Sequence, residues 1–288
     1  MKEHNKQSPR NWKDALVLLL DEKELQEAKT AYDILGSIAI IEVPKSLKKK
    51  AKLIARTLLD VNPKLKTILM KAGQHSGTFR TQKLKYLAGE KTKVCEYKEN
   101  GTRLRFNVEK TYFSARLSTE RKRIAEQVKD NEDVLVMFSG AAPYVCVIGR
   151  NTKAKTITGV EINPKAHKYA LENVKLNKLK NSFLIRKNVH KLKNKDFEKI
   201  SAPVVFDRIA MPLPKTADEF LNDTFKFSKK GTIIHLYDFL HEFEFKEVEQ
   251  KILVAAKKAN INVKILKFTK CGQYSPRKYR VCVDFVVE

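Results

Sequence analysis

Cysteine is scarce in this 288-residue chain and follows no metal-binding or disulfide pattern. The four cysteines, Cys95, Cys146, Cys271 and Cys282, form no C-x-x-C pair and have no histidine at ligand spacing. Neither a metal site nor a disulfide framework is therefore expected. A reducing cytoplasm is the predicted compartment.

Long apolar runs are also missing. The N-terminal sequence MKEHNKQSPRNWKD is polar and charged, and no apolar segment of a secretory signal follows it. No run elsewhere approaches the length that a membrane-spanning helix needs. The chain is expected to be a soluble cytoplasmic protein without membrane contact.

Glycine-rich phosphate-binding motifs are absent as well. The sequence contains no G-x-x-x-x-G-K-[ST] loop. No G-x-G-x-x-G fingerprint follows the apolar run at 134–137, where a dinucleotide-binding fold would carry it. A pyrophosphate seated on a helix N-terminus is therefore not expected.

The sequence does contain a β-loop-α-β unit that ends in an acid. Residues 134–162 read VLVMFSGAAPYVCVIGRNTKAKTITGVEI, with Glu161 at the end of the second apolar run, where a carboxylate can accept both hydroxyls of a ribose. The loop between strand and helix offers one glycine, Gly140, and then bulkier residues. A nucleoside without phosphates fits this loop best, and S-adenosylmethionine is the predicted cofactor. The alternative is an ordinary buried βαβ unit in which Glu161 is a solvated strand end.

Positive charge is concentrated in one stretch of the chain. The formal net charge is +25, and residues 44–123 contain 22 Lys and Arg against 6 Asp and Glu, a local excess of 16. A polyanion is the expected partner, and nucleic acid is the first candidate. A proteome rich in lysine is the alternative, but it would spread the charge more evenly.

The pattern of apolar runs changes near residue 109, which predicts two domains. Residues 1–108 read as a small basic α+β domain, in which residues 46–59 predict a helix and an Asn-Gly pair at 100–101 predicts a hairpin. Residues 109–288 alternate strands and helices, as in a parallel sheet covered on both faces. The strands are expected at 133–138, 156–161, 182–186, 204–211, 232–237, 262–268 and 279–287. Helices are expected at 118–128, 143–150, 164–176, 216–225 and 245–259. The last two strands are joined by residues 271–278 without a helix and should form an antiparallel hairpin. This α/β pattern predicts the Rossmann-like, seven-stranded sheet of a class I methyltransferase.

Four segments together carry a resemblance to a known family. They are YFSARLSTER at 112–121, MFSGAAPY at 137–144, GVEINP at 159–164 and DRIAMPLPK at 207–215, supported by GTFRT at 77–81 and YSPR at 274–277. In order and spacing the chain resembles the archaeal tRNA (guanine-37 N1)-methyltransferases, the Met-10-like family, from about residue 30 to its end. The resemblance implies a class I fold behind a small RNA-binding domain, tRNA as partner and S-adenosylmethionine as cofactor. No metal is implied, and a monomer is expected.

The same resemblance implies roles for individual residues. Glu120 is the expected general base at N1, and a guanidinium beside it stabilises the charge that develops on O6. The other catalytic positions that it implies are Arg80, Arg116, Arg121, Pro212 and Pro214. The cofactor-binding positions are Tyr112, Phe138, Gly140, Tyr144, Glu161, Ile162, Asn188 and Met211. From the residues alone, Ser118 and Glu120 could equally cap a helix.

Some positions depart from the family pattern. Val136 and Ala142 stand where an acid and a second loop glycine are usual, and Pro212 replaces the asparagine of an N-x-P motif. The separate N-terminal domain of some members is expected to be missing. Three alternatives therefore stay open: methyl transfer to a tricyclic purine, aminocarboxypropyl transfer to the same base, and a non-catalytic tRNA-binding protein.

Overall fold

The computed structural model describes Pro9 and residues 11–288, which fold into two compact units. The N-terminal unit contains the described residues up to Tyr97 together with Phe106–Tyr112. The C-terminal unit contains Lys98–Arg105 and Phe113–Glu288. The predicted boundary after residue 108 stays a prediction.

The N-terminal unit is a four-stranded sheet with three helices. The strand order is β1-β2-β3-β4, and only the central pair β2 and β3 is parallel. The elements are α1 (Trp12–Val17), α2 (Glu22–Glu27), β1 (Tyr32–Leu35), β2 (Ile38–Ile41), α3 (Ala51–Val61), β3 (Thr67–Lys71) and β4 (Leu84–Gly89).

Helix α3 packs through one apolar face. Ile54, Ala55 and Leu58 recur at helical spacing and are buried, and the indole of Trp12 donates to the carbonyl of Ile54 at 3.3 Å. The sequence predicted this helix at 46–59, but Lys48–Lys50 forms a 3₁₀ turn first and the α-helix begins at Ala51.

The predicted hairpin is present as β5 (Val94–Glu99) and β6 (Thr102–Asn107). Asn100 and Gly101 form its turn, both with positive φ (44° and 74°), which explains the Asn-Gly pair. The tip of the hairpin belongs to the C-terminal unit, where Asn173 donates to the carbonyl of Arg105 at 3.0 Å.

The C-terminal unit is built on a seven-stranded sheet of order β12-β13-β11-β10-β7-β8-β9. All neighbours are parallel except the two pairs made by β13, so the prediction of a seven-stranded α/β sheet with an antiparallel terminal hairpin is confirmed. The strands are β7 (Asp133–Val136), β8 (Thr156–Glu161), β9 (Ser182–Arg186), β10 (Phe206–Met211), β11 (Ser228–His241), β12 (Val263–Ser275) and β13 (Lys278–Val287).

Helices cover both faces of this sheet. They are α4 (Ser118–Gln127), α5 (Pro143–Asn151), α6 (Pro164–Leu176), α7 (Asn194–Glu198), α8 (Leu221–Phe225) and α9 (Phe245–Lys258). The predicted helix at 216–225 is instead a 3₁₀ turn, Ala217–Phe220, followed by the short α8. Pro164 begins α6, where its missing N–H costs no hydrogen bond.

Strands β11 and β12 are much longer than expected. The connection predicted at 271–278 is wrong, because β12 continues to Ser275 and only Pro276 and Arg277 form the turn to β13. Pairing with β13 on one side is enough to keep this segment extended.

Candidate active site

The carboxyl ends of the parallel strands meet at one edge of the sheet, where the order reverses. From β7 the chain passes to β8 and β9 on one side and then returns to β10 on the other. Ligands of open α/β sheets bind in the crevice outside such a reversal. The predicted cofactor residues of the C-terminal unit follow these strand ends: Phe138, Gly140 and Tyr144 after β7, Glu161 and Ile162 at β8, Asn188 after β9, and Met211 at β10.

The loop after β7 turns through three left-handed residues. Phe138, Gly140 and Ala142 have φ of 55°, 58° and 64°. Between them, the N–H of Ser139 donates to the carbonyl of Val160 at 2.8 Å and fixes the loop to β8. Ala142 is the N-cap of α5, so the position where the family usually has glycine is one where a side chain is strained.

Glu161 ties this loop to the end of β8. The side chain is buried, with the residue 8% exposed, and its two oxygens accept the N–H of Gly140 at 2.7 Å and of Asn163 at 2.6 Å. Burial raises the pKa of the Glu161 carboxyl above its ordinary value, although the N–H groups of Asn163, Gly140 and Ile162 act in the opposite direction. A carboxylate has about four acceptor sites, so Glu161 can still accept a ribose hydroxyl in addition to these three N–H groups.

The surroundings of Glu161 fit a nucleoside. Ser139 Oγ is buried without a hydrogen-bond partner among the described residues, so its hydroxyl is available to bind a ligand. Gly159 allows the loop to lie close, since a Cβ there would be 3.1 Å from Ser139 Oγ and 3.0 Å from Val145 Cγ2. Asn188 is half-buried, and its side-chain oxygen accepts the N–H of His190 at 3.0 Å.

Sequence reasoning missed an aromatic stack beside this loop. Phe138 meets Phe220 edge-on at 4.8 Å between ring centroids, and Phe220 stacks on His190 at 4.1 Å. The three rings come from the segments that follow β7, β10 and β9. Nothing in the sequence pattern links them, because only the sheet order makes them neighbours.

Glu120 lies in a buried hydrogen-bond network on the first turn of α4. The residue is 5% exposed. The Arg123 guanidinium donates to both of its oxygens at 2.7 Å, and the hydroxyl of Tyr237 donates to Oε1 at 2.6 Å. Burial raises the pKa of Tyr237 well above its ordinary value, so the hydroxyl stays protonated. Tyr144 completes the chain by donating to the Tyr237 hydroxyl at 3.1 Å.

A second carboxylate holds Arg123 from the other side. Asp284 accepts from Arg123 at 2.8 Å and from Nδ1 of His235 at 2.6 Å. Nε2 of His235 lies 2.9 Å from Arg208, which can only donate, so His235 is the neutral Nδ1–H tautomer. Burial lowers the pKa of His235, in agreement with that assignment.

His235, Asp284 and Cys282 place one metal-ligand atom each within 4.8 Å of one another. Two guanidinium groups would repel a metal cation there, since Arg123 hydrogen-bonds Asp284 and Arg208 hydrogen-bonds His235. The cluster therefore serves as a hydrogen-bond network.

The comparison with known families decides the class of protein. The TRM5/TYW2 methyltransferase domain matches residues 95–265, and the TYW2 N-terminal domain matches residues 12–92. The chain belongs to the TRM5/TYW2 methyltransferase family. The predicted family is thereby confirmed, and S-adenosylmethionine is the cofactor of this methyltransferase.

Individual relatives of this methyltransferase cover nearly its whole length. It is 37% identical to the tRNA (guanine(37)-N(1))-methyltransferase Trm5b of Pyrococcus abyssi over 90% of this chain and 75% of that protein. It is 33% identical to the tRNA (guanine(37)-N(1))/4-demethylwyosine(37)-methyltransferase Taw22 of Nanoarchaeum equitans over 88% of this chain and 98% of that protein.

Solved structures agree with the fold of the methyltransferase. The crystal structure of Pyrococcus abyssi Trm5b superposes with a TM-score of 0.82 at 35% identity, covering 94% of this chain and 79% of that one. The complex of aTrm5 with tRNALeu superposes with a TM-score of 0.83 at 26% identity, covering 98% and 79%. None of the helices in residues 11–288 is both long and apolar enough to cross a membrane.

Two cofactor positions of the methyltransferase are turned into the core. Met211 is fully buried, and the Thr224 hydroxyl lies 3.3 Å from its sulfur, so a ligand at the strand edge can meet only its backbone. Tyr144 is buried with its hydroxyl on Tyr237. Ile162 is more than one third exposed at the edge and is the better placed apolar contact. All three roles stay predictions.

The arginines next to Glu120 in sequence differ in surroundings. Arg121 is only 2% exposed. Its guanidinium forms an ion pair with Glu99 and donates to the carbonyl of Ser114 at 3.1 Å. These contacts support a structural role that fixes the segment before α4 to the hairpin tip. Arg116 is exposed on the 3₁₀ turn before α4. Contact of either with the base stays a prediction.

The remaining predicted residues lie in loops. Arg80 and Tyr112 belong to the N-terminal unit, where Arg80 has φ of 49° in a turn and Tyr112 packs edge-on against His75 at 5.5 Å. Pro212 and Pro214 follow β10, and the first is half-buried whereas the second is buried.

Proposed function

We propose that this methyltransferase transfers a methyl group from S-adenosylmethionine to N1 of guanine 37 in tRNA. The observation that carries the proposal is the 37% identity over 90% of the chain to a protein named for that reaction. The net charge of +25 supports a polyanionic substrate.

Bound S-adenosylmethionine supplies an electrophilic methyl group. Glu161 would hold the ribose through the acceptor site that the loop N–H groups leave, and the loop backbone around Gly140 would lie against the nucleoside. The aromatic stack of Phe138, Phe220 and His190 offers an apolar wall at the same edge. These residues bind and orient, and positioning accounts for much of the rate of such a transfer.

Glu120 is the proposed acceptor of the N1 proton. Both of its oxygens accept from the Arg123 guanidinium, which holds the carboxylate in place. Oε1 accepts from Arg123 and Tyr237, and Oε2 accepts from Arg123. Arg80 is the proposed donor to O6.

Substitution of the target base tests the proposed substrate. A tRNA transcript with G37 should accept labelled methyl groups, and the same transcript with A37 should accept none. Equal incorporation into both transcripts would place the methyl group elsewhere and contradict the proposal.

Glu120→Gln tests the proposed base. The amide cannot take the proton, so single-turnover methylation should fall by about 10²-fold or more, while cofactor binding and tRNA binding stay near wild type. Because glutamine also changes the contact with Arg123, thermal unfolding should be measured beside it. A folded variant with near wild-type turnover at neutral pH would exclude Glu120 as base.

A tricyclic purine at position 37 is the second proposed acceptor. Pro212 offers a rigid backbone and an apolar ring in place of an amide, so the pocket discriminates less by hydrogen bonds at that edge. The relative from Nanoarchaeum equitans is 33% identical and is matched over 98% of its length, and its name includes both guanine and 4-demethylwyosine. We expect methylation of tRNA that contains 4-demethylwyosine, and methylation confined to unmodified guanine would rule this out.

A further inference from the structure

The C-terminal strands form a ribbon that extends past the carboxyl edge of the sheet. Pairing of β10 with β11 ends at Met211 and Leu236. Pairing of β11 with β13 continues five residues further, to His241 opposite Lys278. The segment from Tyr237 onward, with its partners in β12 and β13, therefore projects beyond the strand end that carries Pro212 and Pro214.

One face of this ribbon alternates aromatic and cationic side chains. The Phe239 and Tyr274 rings lie 4.1 Å apart between centroids. Arg280, directly opposite Phe239 in register, has its guanidinium 5.1 Å from the Phe239 ring. Lys215 Nζ lies 5.6 Å from the Tyr274 ring. We call these four residues the Tyr274 platform.

The platform leaves aromatic surface open to solvent. Tyr274 is 53% exposed despite its contact with Phe239, and Phe243, past the end of β11, is 79% exposed. Exposed aromatic rings of this size carry a cost in water that a stacking partner removes. Residues 270–280 contain four Lys and Arg and no acid, so the partner that the charge favours is an anion.

The platform joins the loop that follows β10. The backbone N–H of Lys215 binds the carboxylate of Asp238, so the 212–215 loop is fixed to the base of the ribbon. A nucleotide adjoining a base held at Pro212 or Pro214 would therefore meet Lys215 and Tyr274 next. Single-stranded nucleic acids bind through this combination of stacked bases and cations along the backbone.

We propose that the Tyr274 platform binds an unpaired nucleotide that neighbours the methylated base, with its base stacked on Tyr274 and its phosphate near Lys215. The inference rests on the proposed function for its choice of RNA. It adds a second binding site for the same strand, and it explains why the ribbon is long and basic although it extends beyond the edge of the sheet where the cofactor is expected.

Fluorescence of a substituted anticodon stem-loop tests the platform directly. An RNA with 2-aminopurine beside position 37 should be quenched by the full-length protein as the base stacks. Tyr274→Ala should remove the quenching and weaken stem-loop binding by about 5- to 150-fold, the range for loss of one base–aromatic stack. Tyr274→Phe keeps the ring and should behave as wild type. Lys215→Gln should weaken binding and flatten its salt dependence while leaving quenching in place.

The outcomes separate this inference from the proposed function. Cofactor affinity should be unchanged in all three variants, since none of these residues contacts Glu161, and thermal unfolding shows whether each variant is folded. If Tyr274→Ala binds and quenches as wild type does, the platform is not an RNA site, whatever base the protein methylates. If Tyr274→Ala loses binding but the wild type methylates no position-37 base, Tyr274 is an RNA contact and only the proposed function is wrong.

Discussion

Replacement of Glu161 by alanine should weaken the cofactor and its demethylated product together. Both molecules have the same ribose, and Glu161, the proposed acceptor of its hydroxyls, is a buried carboxylate held by the N–H groups of Gly140 and Asn163. Loss of a charge-assisted contact of this kind costs about 1.5–3 kcal/mol, which corresponds to roughly 10- to 150-fold in dissociation constant. The N–H groups of Gly140 and Asn163 also lose an acceptor, so the free energy of unfolding should fall by about 1–3 kcal/mol.

Isothermal titration with S-adenosylmethionine and S-adenosylhomocysteine measures this loss. Glu126→Gln is the matched control, because Glu126 is exposed on α4 and its contact with Lys122 is a surface pair. The control should bind both ligands as the wild type does. If Glu161→Ala binds both within about twofold of the wild type, the cofactor lies elsewhere and the reasoning is refuted.

The pH dependence of the same titration has a definite sign. Because burial raises the pKa of Glu161, the carboxyl takes up a proton at a higher pH than an exposed glutamate does. Cofactor affinity should therefore begin to fall on mild acidification, and this fall should be missing in Glu161→Gln. Ionised Glu161 lowers stability above its folded pKa, so its protonation in acid does not weaken the fold.

Three further substitutions test the packing around the site. Asp284→Asn should lower the free energy of unfolding, measured by denaturant titration, by about 3–5 kcal/mol, because Arg123 and His235 lose a buried charged acceptor. Asp130→Asn breaks an exposed pair with Lys153 and is the control in the same titration. Burial would raise the pKa of Asp284, but hydrogen bonds from His235 and Arg123 outweigh it and hold that pKa well below its ordinary value. The stabilisation by Asp284 is therefore present above the pKa of the unfolded chain and is lost only as the pH falls towards the pKa of the folded state. A loss of wild-type stability near neutral pH that depends on Asp284 would contradict this prediction. Gly159→Ala should cost about 1–3 kcal/mol in the same titration, since its Cβ would lie 2.8 Å from Leu184 Cδ2, and an unchanged midpoint would mean that the strands move apart freely. Ala142→Gly should raise the melting temperature, because it relieves the strain of a left-handed φ of 64°, which costs up to about 1 kcal/mol. A lower melting temperature would show that packing of the Ala142 methyl group stabilises the fold by more than this strain costs.

The sequence predicted the sheet better than it predicted the N-terminal helices. The strands at 133–138 and 156–161 are apolar runs that only a buried position explains, and both are present. Helices α1 and α2 have six residues each, too few for a clear helical period, and were not predicted. Strand β1 was missed for a similar reason, since only one of its four residues is buried.

Residues of the site could be predicted where they are local in sequence. Glu161 follows from one β-loop-α-β unit, and Gly140 lies 21 residues before it. The network around Glu120 could not be predicted, since Tyr237 is 117 residues away and Asp284 meets Arg123 across 161 residues. Only the order of strands in the folded sheet brings such residues together.

The identity of the modified nucleoside tests the central claim most directly. Unmodified tRNA with G37 should be incubated with the full-length protein and S-adenosylmethionine, digested to nucleosides, and analysed by chromatography with mass detection after the position has been mapped in a nuclease fragment. The account predicts 1-methylguanosine at position 37. An aminocarboxypropyl adduct, a methyl group at another position, or no product with a protein that binds the cofactor would contradict it.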